Sequence, residues 1–336
     1  MMKAIILEKT GGPENLRVTD IPEPEPARGE VRVKLIASAL NRRDYWITLG
    51  LYPGMQLPCI TGSDGAGLVD KTGEGVDPAL LNSAVIIYPG RNWGDSPLAN
   101  SSDFRVLGMP DQGTFAQFIC VPAYCISLKP QYLSWEQAAA LPVAGLTAWR
   151  AVMTQAEVKS GQNVLVTGAG GGVAGFAVQL CLKLGARVYV SSGSEEKIAQ
   201  AQNAGVIAGT NYHQENCYKD LAKKAGGFDV IIDSAGGDVL NQLLSTLKPA
   251  GRYVFYGATL LNPLSGLEMA RLFFRQIRIQ GTTMGSPDEF RAMLSFVDKH
   301  KIVPLIDRVF PLDEIVQAHK LMEHYAQNGK IVLLNQ

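Results

Sequence analysis

Val164-Leu165-Val166-Thr167-Gly168-Ala169-Gly170-Gly171-Gly172-Val173-Ala174 is the stretch on which the reading of this chain turns. A short apolar run ends in glycines, and an apolar spacing of helical period follows through Phe176, Leu180 and Leu184. Glycines let the backbone turn tightly, and the helix start offers unpaired N–H groups and a positive dipole end to an anion such as a pyrophosphate. Read as GxGxxG from Gly168 and Gly170, the string puts Val173 at the third small position. The register Ala169-x-Gly171-x-x-Ala174 suits close helix–strand packing better. Alone the string is a weak signal, with a mere tight turn as the competing reading, so its weight depends on what surrounds it.

Working outward, Asn163–Thr167 reads as a buried parallel strand, Arg187–Ser191 as a second strand and Glu195–Ala204 as a helix. A strand at Asp229–Asp233, a helix at Asp238–Leu247 and strands at Gly251–Tyr256 and Arg278–Gly281 continue the series. This alternation predicts right-handed βαβ units and a doubly wound parallel sheet of Rossmann type. An NAD site places Asp or Glu about 20 residues on, at the end of the second strand, to hold the ribose 2′-hydroxyl. Here that place reads Ser191-Ser192-Gly193-Ser194, with Lys197 one turn further. Small hydroxyls and a cation suit a 2′-phosphate, so the reading is NADP(H). The alternative has Glu195 or Glu196 supply the acid and leaves Lys197 on a solvated face.

The rest of the chain narrows the class. Its 336 residues leave room for two domains, each with a core, and 31 basic residues balance 31 acidic ones. Nucleic acid and anionic membranes select for basic excess, so neither is expected as a partner. The longest apolar stretch, Ala138–Trp149, is too short to span a bilayer, and the N-terminus has no signal-peptide pattern. Five scattered cysteines without a CxxC pair argue against a disulfide framework and a zinc knuckle. A cytoplasmic enzyme is the expectation. The first third reads as β-rich, with alternating segments such as Lys3–Leu7 and Val31–Ala37, and a polar lobe follows between Tyr88 and Gly113. Helices over Phe290–His300 and Leu312–Tyr325 and a closing strand, Lys330–Leu334, make up the tail.

Several motifs recur in an order that resembles the medium-chain dehydrogenase/reductase superfamily. They are Leu40-Asn41-x-x-Asp44, Gly50-Leu51-Tyr52-Pro53, Pro58-x-Ile60-x-Gly62-Ser63-Asp64-Gly65-Ala66-Gly67, Gly113-Thr114-Phe115-Ala116-Gln117, Ala138-Ala139-Ala140-Leu141-Pro142, Gly145-Leu146-Thr147-Ala148, the Gly-rich loop and Gly329-Lys330-Ile331-Val332. Within the superfamily the chain is similar to the zinc-free quinone oxidoreductase branch, close to the alcohol dehydrogenases. The resemblance implies an α/β fold: a β-rich GroES-like catalytic domain over 1–127 and 285–336, and a Rossmann domain over 128–284. It also implies a homodimer through the last sheet strand. The catalytic zinc ligands of the zinc-containing members correspond to Asn41, Ser63 and about Val143, none of which suits zinc, and a lone Asp64 makes no site. The structural-zinc cysteines are missing from Gly90–Gly113. No metal is expected.

Without a Lewis acid, hydrogen-bond donors must polarise the substrate carbonyl. The resemblance points to Asn41 and Tyr52, with Ser63 and Tyr45 beside them. Asp44 shares a helical face with Asn41, and its competing role is to orient backbone at a turn; Tyr52 reads equally as a packed loop aromatic. For the cofactor, the expected contacts are Gly168, Ala169, Gly170, Gly171, Gly172 and Val173 at the pyrophosphate, and Ser192, Lys197 and Tyr212 at the 2′-phosphate. Thr147 is placed at the nicotinamide end, Thr282 and Met284 in the segment whose backbone binds the carboxamide, Gly257 at the border of the cofactor, and Ser234 at the carboxyl edge of the sheet where ligands bind. Arg42-Arg43 reads as a solvated basic pair, His213 as a surface loop residue, and Met269, Leu272 and Phe273 as core, a subunit contact or a substrate-side wall. The resulting expectation is an NADPH-dependent reductase of small electrophiles such as quinones or α,β-unsaturated carbonyls. An alcohol or aldehyde reductase and a non-catalytic NADPH-binding relative are the competing readings.

Overall fold

The computed structural model describes residues 1–260, 264 and 266–335. Of the wall expected over Leu260–Phe274, the residues Leu261, Asn262, Pro263 and Ser265 lie outside the described residues. By its contacts the chain forms two units, Met1–Leu146 with Gly285–Gln336, and Thr147–Met284. Residues 128–146, assigned from sequence to the nucleotide-binding domain, group with the first unit, because helix Trp135–Ala139 packs on strands Glu30–Ala39 and Asp64–Thr72.

The first unit is built on antiparallel sheets. Strand Glu30–Ala39 lies between Asp64–Thr72 and Lys330–Leu334, which brings the C-terminal strand beside residues from the first fifth of the chain. Ile306–Pro311 pairs in parallel with Lys330–Leu334, and Phe118–Pro122 pairs with Glu30–Ala39. A smaller sheet runs Leu16–Ile21, Met2–Leu7, Cys59–Ile60. Alternation along these strands sends Ile5, Leu7, Leu40, Ile331 and Leu333 into one core with Phe115, Met109 and Ile315. Gly67 marks how closely two of the strands approach: a Cβ there would lie 2.1 Å from the Lys34 carbonyl oxygen. The polar lobe is ordered around a ribbon of Gly90–Arg91 with Arg105–Val106, and Trp93 stacks edge-on against Phe104 at 5.2 Å.

The second unit carries a parallel sheet ordered Ala208–Asn211, Arg187–Ser192, Asn163–Val166, Phe228–Asp233, Leu247–Phe255, Arg278–Gly281. This is the doubly wound order, with its switch point between Asn163–Val166 and Phe228–Asp233. Helices Gly172–Lys183, Glu195–Asn203, Cys217–Ala225 and Val239–Thr246 alternate with the strands. The edge strand Ala208–Asn211 and helix Cys217–Ala225 had no counterpart in the sequence reading. On helix Met269–Arg275, Leu272 packs on the core, but Met269 and Phe273 are exposed, which removes the core role for those two. No helix among the described residues is long and apolar enough to cross a membrane.

Candidate active site

In the first unit, the groups singled out from sequence gather at the start of helix Arg42–Thr48. Asn41 is the residue before its first turn, in extended conformation, and the Asp44 carboxylate accepts from the Asn41 backbone N–H at 2.8 Å. Asp44 is fully buried, and desolvation pushes its carboxyl up to about 6. Through Oδ2 it therefore serves the helix start, the competing role weighed above, while Oδ1 is buried without a hydrogen-bond partner.

The Asn41 side chain enters a buried polar cluster. Its Nδ2 donates to Asp64 Oδ2 at 2.8 Å, and its Oδ1 accepts from Lys330 Nζ at 2.7 Å. Lys330 Nζ also donates to Asp64 Oδ2 and to the Leu40 carbonyl, both at 2.8 Å. Asp64 Oδ1 accepts from the Val143 backbone N–H at 2.8 Å. Lys330 is 4% exposed and Asp64 0%. The register of the closing strand makes this possible, since Leu40 N–H bonds the Ile331 carbonyl at 2.9 Å and sets Lys330 beside Asn41.

A second cluster surrounds Arg43. Its guanidinium donates to the Leu107 carbonyl at 2.8 Å, the Met109 carbonyl at 2.9 Å and the Ser63 hydroxyl. It also donates to the Tyr52 hydroxyl at 3.4 Å and lies 4.7 Å from the centre of that ring. Arg43 is thus not a solvated residue. It ties the helix, the Gly62–Asp64 strand entry, the lobe and the Tyr52 loop together. Ser63 is fully buried and its hydroxyl donates to the Leu107 carbonyl at 2.8 Å, so it has no proton for a substrate. Tyr45 is committed too: its hydroxyl donates to Glu323 at 2.7 Å, and desolvation together with that carboxylate pushes it up to about 12. Tyr52 accepts from Arg43 and keeps its own proton to give. Asn41 and Tyr52 remain the two donors of the original set.

In the second unit, the Gly-rich loop stands at the carboxyl end of Asn163–Val166, with Gly168 at φ +71° and Gly171 before helix Gly172–Lys183. The Ala169 N–H is bonded to the Ser191 carbonyl and the Gly171 N–H to the Gly168 carbonyl. A bound phosphate is left the N–H groups of the first turn of the helix, which have no partner within it. Ala174, 1% exposed, is the small residue packed beneath. Lys197 lies over the loop: a Cβ on Gly170 would come 2.6 Å from its Cδ and 3.0 Å from its Nζ. At the end of the second strand, the Ser192 hydroxyl accepts from Ser194 N–H at 3.2 Å, and Ser194 caps the next helix through Lys197 N–H at 3.3 Å. Tyr212 stacks on His213 at 4.7 Å, and both reach the Gly193 turn, where a Cβ would meet Tyr212 Oη at 2.7 Å and His213 Nε2 at 2.9 Å. His213 is exposed, but it belongs to this turn. Glu195 accepts from Asn211 Nδ2 at 3.0 Å and Glu196 from Gln200 Nε2 at 3.2 Å.

The rim of the switch point is organised by a residue that sequence reasoning placed only as a strand end. Asp233, fully buried, accepts from Thr167 Oγ1 and Tyr253 Oη, both at 2.5 Å. It also takes the N–H groups of Ala235 and Gly236 at 3.1 and 2.8 Å. Ser234 and Gly257 come together here: Thr259 bonds the Ser234 carbonyl through both N–H and hydroxyl at 3.1 Å, and a Cβ on Gly257 would lie 3.1 Å from that oxygen. Thr282 N–H bonds the Phe255 carbonyl at 3.0 Å, while Thr282 Oγ1 is buried without a partner. Met284 is buried at φ +42°, and Thr147 is buried in helix Pro142–Trp149.

A dinucleotide fits this rim: the helix start offers its first-turn N–H groups, the Lys197 side chain lies over Gly170, and the Thr282 hydroxyl is buried without a partner. Zinc does not fit. Among the described residues no three His, Cys, Asp or Glu side chains stand together to hold a metal, and both Asp64 oxygens are engaged, one by an ammonium group.

Comparison with known proteins agrees with the architecture. Residues 27–131 match the profile of the alcohol dehydrogenase GroES-like domain, and residues 172–299 that of the zinc-binding dehydrogenase family. The chain is 36% identical to the zinc-type alcohol dehydrogenase-like protein YogA of Leptosphaeria maculans, over 95% of this chain and 94% of that one. It is 28% identical to a quinone oxidoreductase of Salmonella typhimurium, over 99% and 100%. A crystal structure of an NAD-dependent alcohol dehydrogenase superposes with a TM-score of 0.93 at 35% identity, covering 99% of each chain. The crotonyl-CoA carboxylase/reductase AntE variant V350A in complex with NADP superposes with 0.90 at 25% identity, covering 99% of this chain and 94% of that one. With two domains matched in order and a relative above 30% identity along almost its whole length, the chain belongs to the medium-chain dehydrogenase/reductase superfamily of oxidoreductases.

Proposed function

We propose that this chain is a zinc-independent, NADPH-dependent reductase of small electrophiles, of the quinone or α,β-unsaturated carbonyl class. The observation that carries the metal-free reading is the Lys330 ammonium at Asp64 and Asn41. A divalent cation there would face a fixed positive charge and a carboxylate already satisfied, so substrate polarisation falls to hydrogen-bond donors. Asn41 Nδ2 and the Tyr52 hydroxyl are those donors.

The preference for NADPH rests on the end of the second strand. Ser192 and Lys197 present hydroxyl and ammonium groups, and Tyr212 and His213 close on the same turn. The alternative carboxylates are engaged, Glu195 with Asn211 and Glu196 along its own helix, so neither is held for a ribose hydroxyl. A bound nicotinamide supplies the hydride. The first turn of helix Gly172–Lys183 would hold the pyrophosphate and Lys197 the 2′-phosphate, and Ser234, Gly257 and Thr282 would line the rim. Asn41 and Tyr52 orient the acceptor oxygen and meet the charge that develops on it, and Tyr52 holds a proton at Oη.

Titration of NADPH and NADH by intrinsic fluorescence, followed by turnover against 9,10-phenanthrenequinone and an enone, tests the reading. Tighter NADPH binding and turnover of either acceptor are expected. Equal or tighter NADH binding contradicts the cofactor assignment, and tight NADPH binding without turnover of any acceptor contradicts the enzymatic one.

A further inference from the structure

We propose that Lys330 is a positioning residue for the reaction: it locks the Asn41 amide in the one orientation that presents an N–H to substrate. The proposal rests on the reading above, in which Asn41 polarises the acceptor oxygen.

An ammonium group has three N–H donors and no acceptor. Lys330 spends all three in a site 4% exposed, on the Leu40 carbonyl, Asn41 Oδ1 and Asp64 Oδ2, at 2.7–2.8 Å. Asn41 Oδ1 is thereby held toward the lysine, and Asn41 Nδ2 donates one of its two N–H groups to Asp64 Oδ2. Turning the amide over would set NH2 against the ammonium group and a carbonyl oxygen against the carboxylate. Both contacts are repulsive, and low-dielectric surroundings strengthen the penalty. The polarity of Asn41 is therefore dictated by two charged side chains. The second Nδ2–H is the one this cluster does not use, and Asn41 is 8% exposed, which leaves that proton for an acceptor oxygen.

Each partner is fixed in turn. Asp64 is anchored through Oδ1 by the Val143 backbone N–H, and Lys330 is carried by a strand whose register is set against Ala37–Ala39. Without the ammonium group Asn41 Oδ1 loses its partner and only Asp64 still favours this polarity, so the amide is held less firmly toward an acceptor oxygen.

The test is a double-mutant cycle on kcat with NADPH and 9,10-phenanthrenequinone. Lys330→Met and Asn41→Ala each lower kcat by about 100–1,000-fold, the range for removing an oxyanion donor. Lys330→Met leaves Kd for NADPH within about twofold of the parent. The double variant is no slower than Asn41→Ala alone, because a residue acting through Asn41 has nothing left to act on. Lys330→Arg restores part of the rate. If Lys330→Met fails to fold, Lys330→Met with Asp64→Asn leaves no lone buried charge, and the cycle is then run with Asp64→Asn as its parent. Multiplicative losses in the double variant, or parental kcat in Lys330→Met, overturn the positioning role alone. Parental kcat in Asn41→Ala overturns the donor reading beneath it.

Discussion

Lys197 offers the sharpest separation of cofactor chemistry from fold. Its stem and ammonium group lie within about a bond length or two of where a Cβ on Gly170 would stand, and the side chain is half-buried. A charge-assisted hydrogen bond to phosphate contributes about 1.5–3 kcal/mol, and partial exposure reduces that to about 1–2 kcal/mol. Lys197→Ala should then weaken NADPH binding by about 5–30-fold. Helix Glu195–Asn203 keeps its cap, since Ser194 bonds the backbone N–H of residue 197 and not its side chain. Fluorescence titration with NADPH, NADH and 2′,5′-ADP, at low and moderate salt, reads the effect. The loss should be confined to the two ligands that carry a 2′-phosphate and should shrink as salt rises. An equal loss for NADH would refute the reasoning and place Lys197 at the pyrophosphate. No loss for either would place it on solvent.

Other residues give independent checks. Asp233→Ala orphans two side-chain hydroxyls and two backbone N–H groups and should cost about 3–5 kcal/mol, seen as a large fall in Tm with weakened binding of both dinucleotides. Asp44 has its carboxyl raised from 3.8 to about 6 by burial, so the folded state binds the proton more tightly and stability from this group falls as pH rises from about 4 to 6. The shift corresponds to about 3 kcal/mol, and Tm of Asp44→Asn relative to the parent should therefore climb across that window. His319 opposes it: burial lowers its imidazole from 6.5 to about 4, so its contribution falls as pH drops through the same range, and His319→Gln should shift relative Tm the other way. Ser63→Ala should lower stability by about 1–2 kcal/mol and leave kcat within about twofold, because its hydroxyl serves Arg43 and the Leu107 carbonyl.

Local signals and distant ones were not equally legible in the sequence. The Gly-rich loop, the alternation after it and the Ser192–Lys197 region are encoded within short windows, and their elements lie close to where periodicity places them. The edge strand Ala208–Asn211 was missed because a four-residue segment containing Gly209 has no alternation to read. The active-site clusters depend on register between segments far apart. Lys330 meets Asp64 across 266 residues and Asn41 across 289, so no spacing rule finds it, although Gly329-Lys330-Ile331-Val332 was visible as a motif. Arg43 looked like half of a surface pair; only the fold reveals that its neighbours are carbonyls of the lobe. Asp44 and Ser63 were found as polar residues in the right motifs, and packing turned their side chains inward, toward backbone partners.

The central claim is that reduction here runs on Asn41 and Tyr52 without a metal. Its most direct test measures NADPH oxidation with 9,10-phenanthrenequinone on protein treated with a strong zinc chelator, with elemental analysis of the same sample. The account predicts unchanged kcat with substoichiometric zinc, and no gain on adding zinc back. Activity abolished by the chelator and restored by one equivalent of zinc would contradict it.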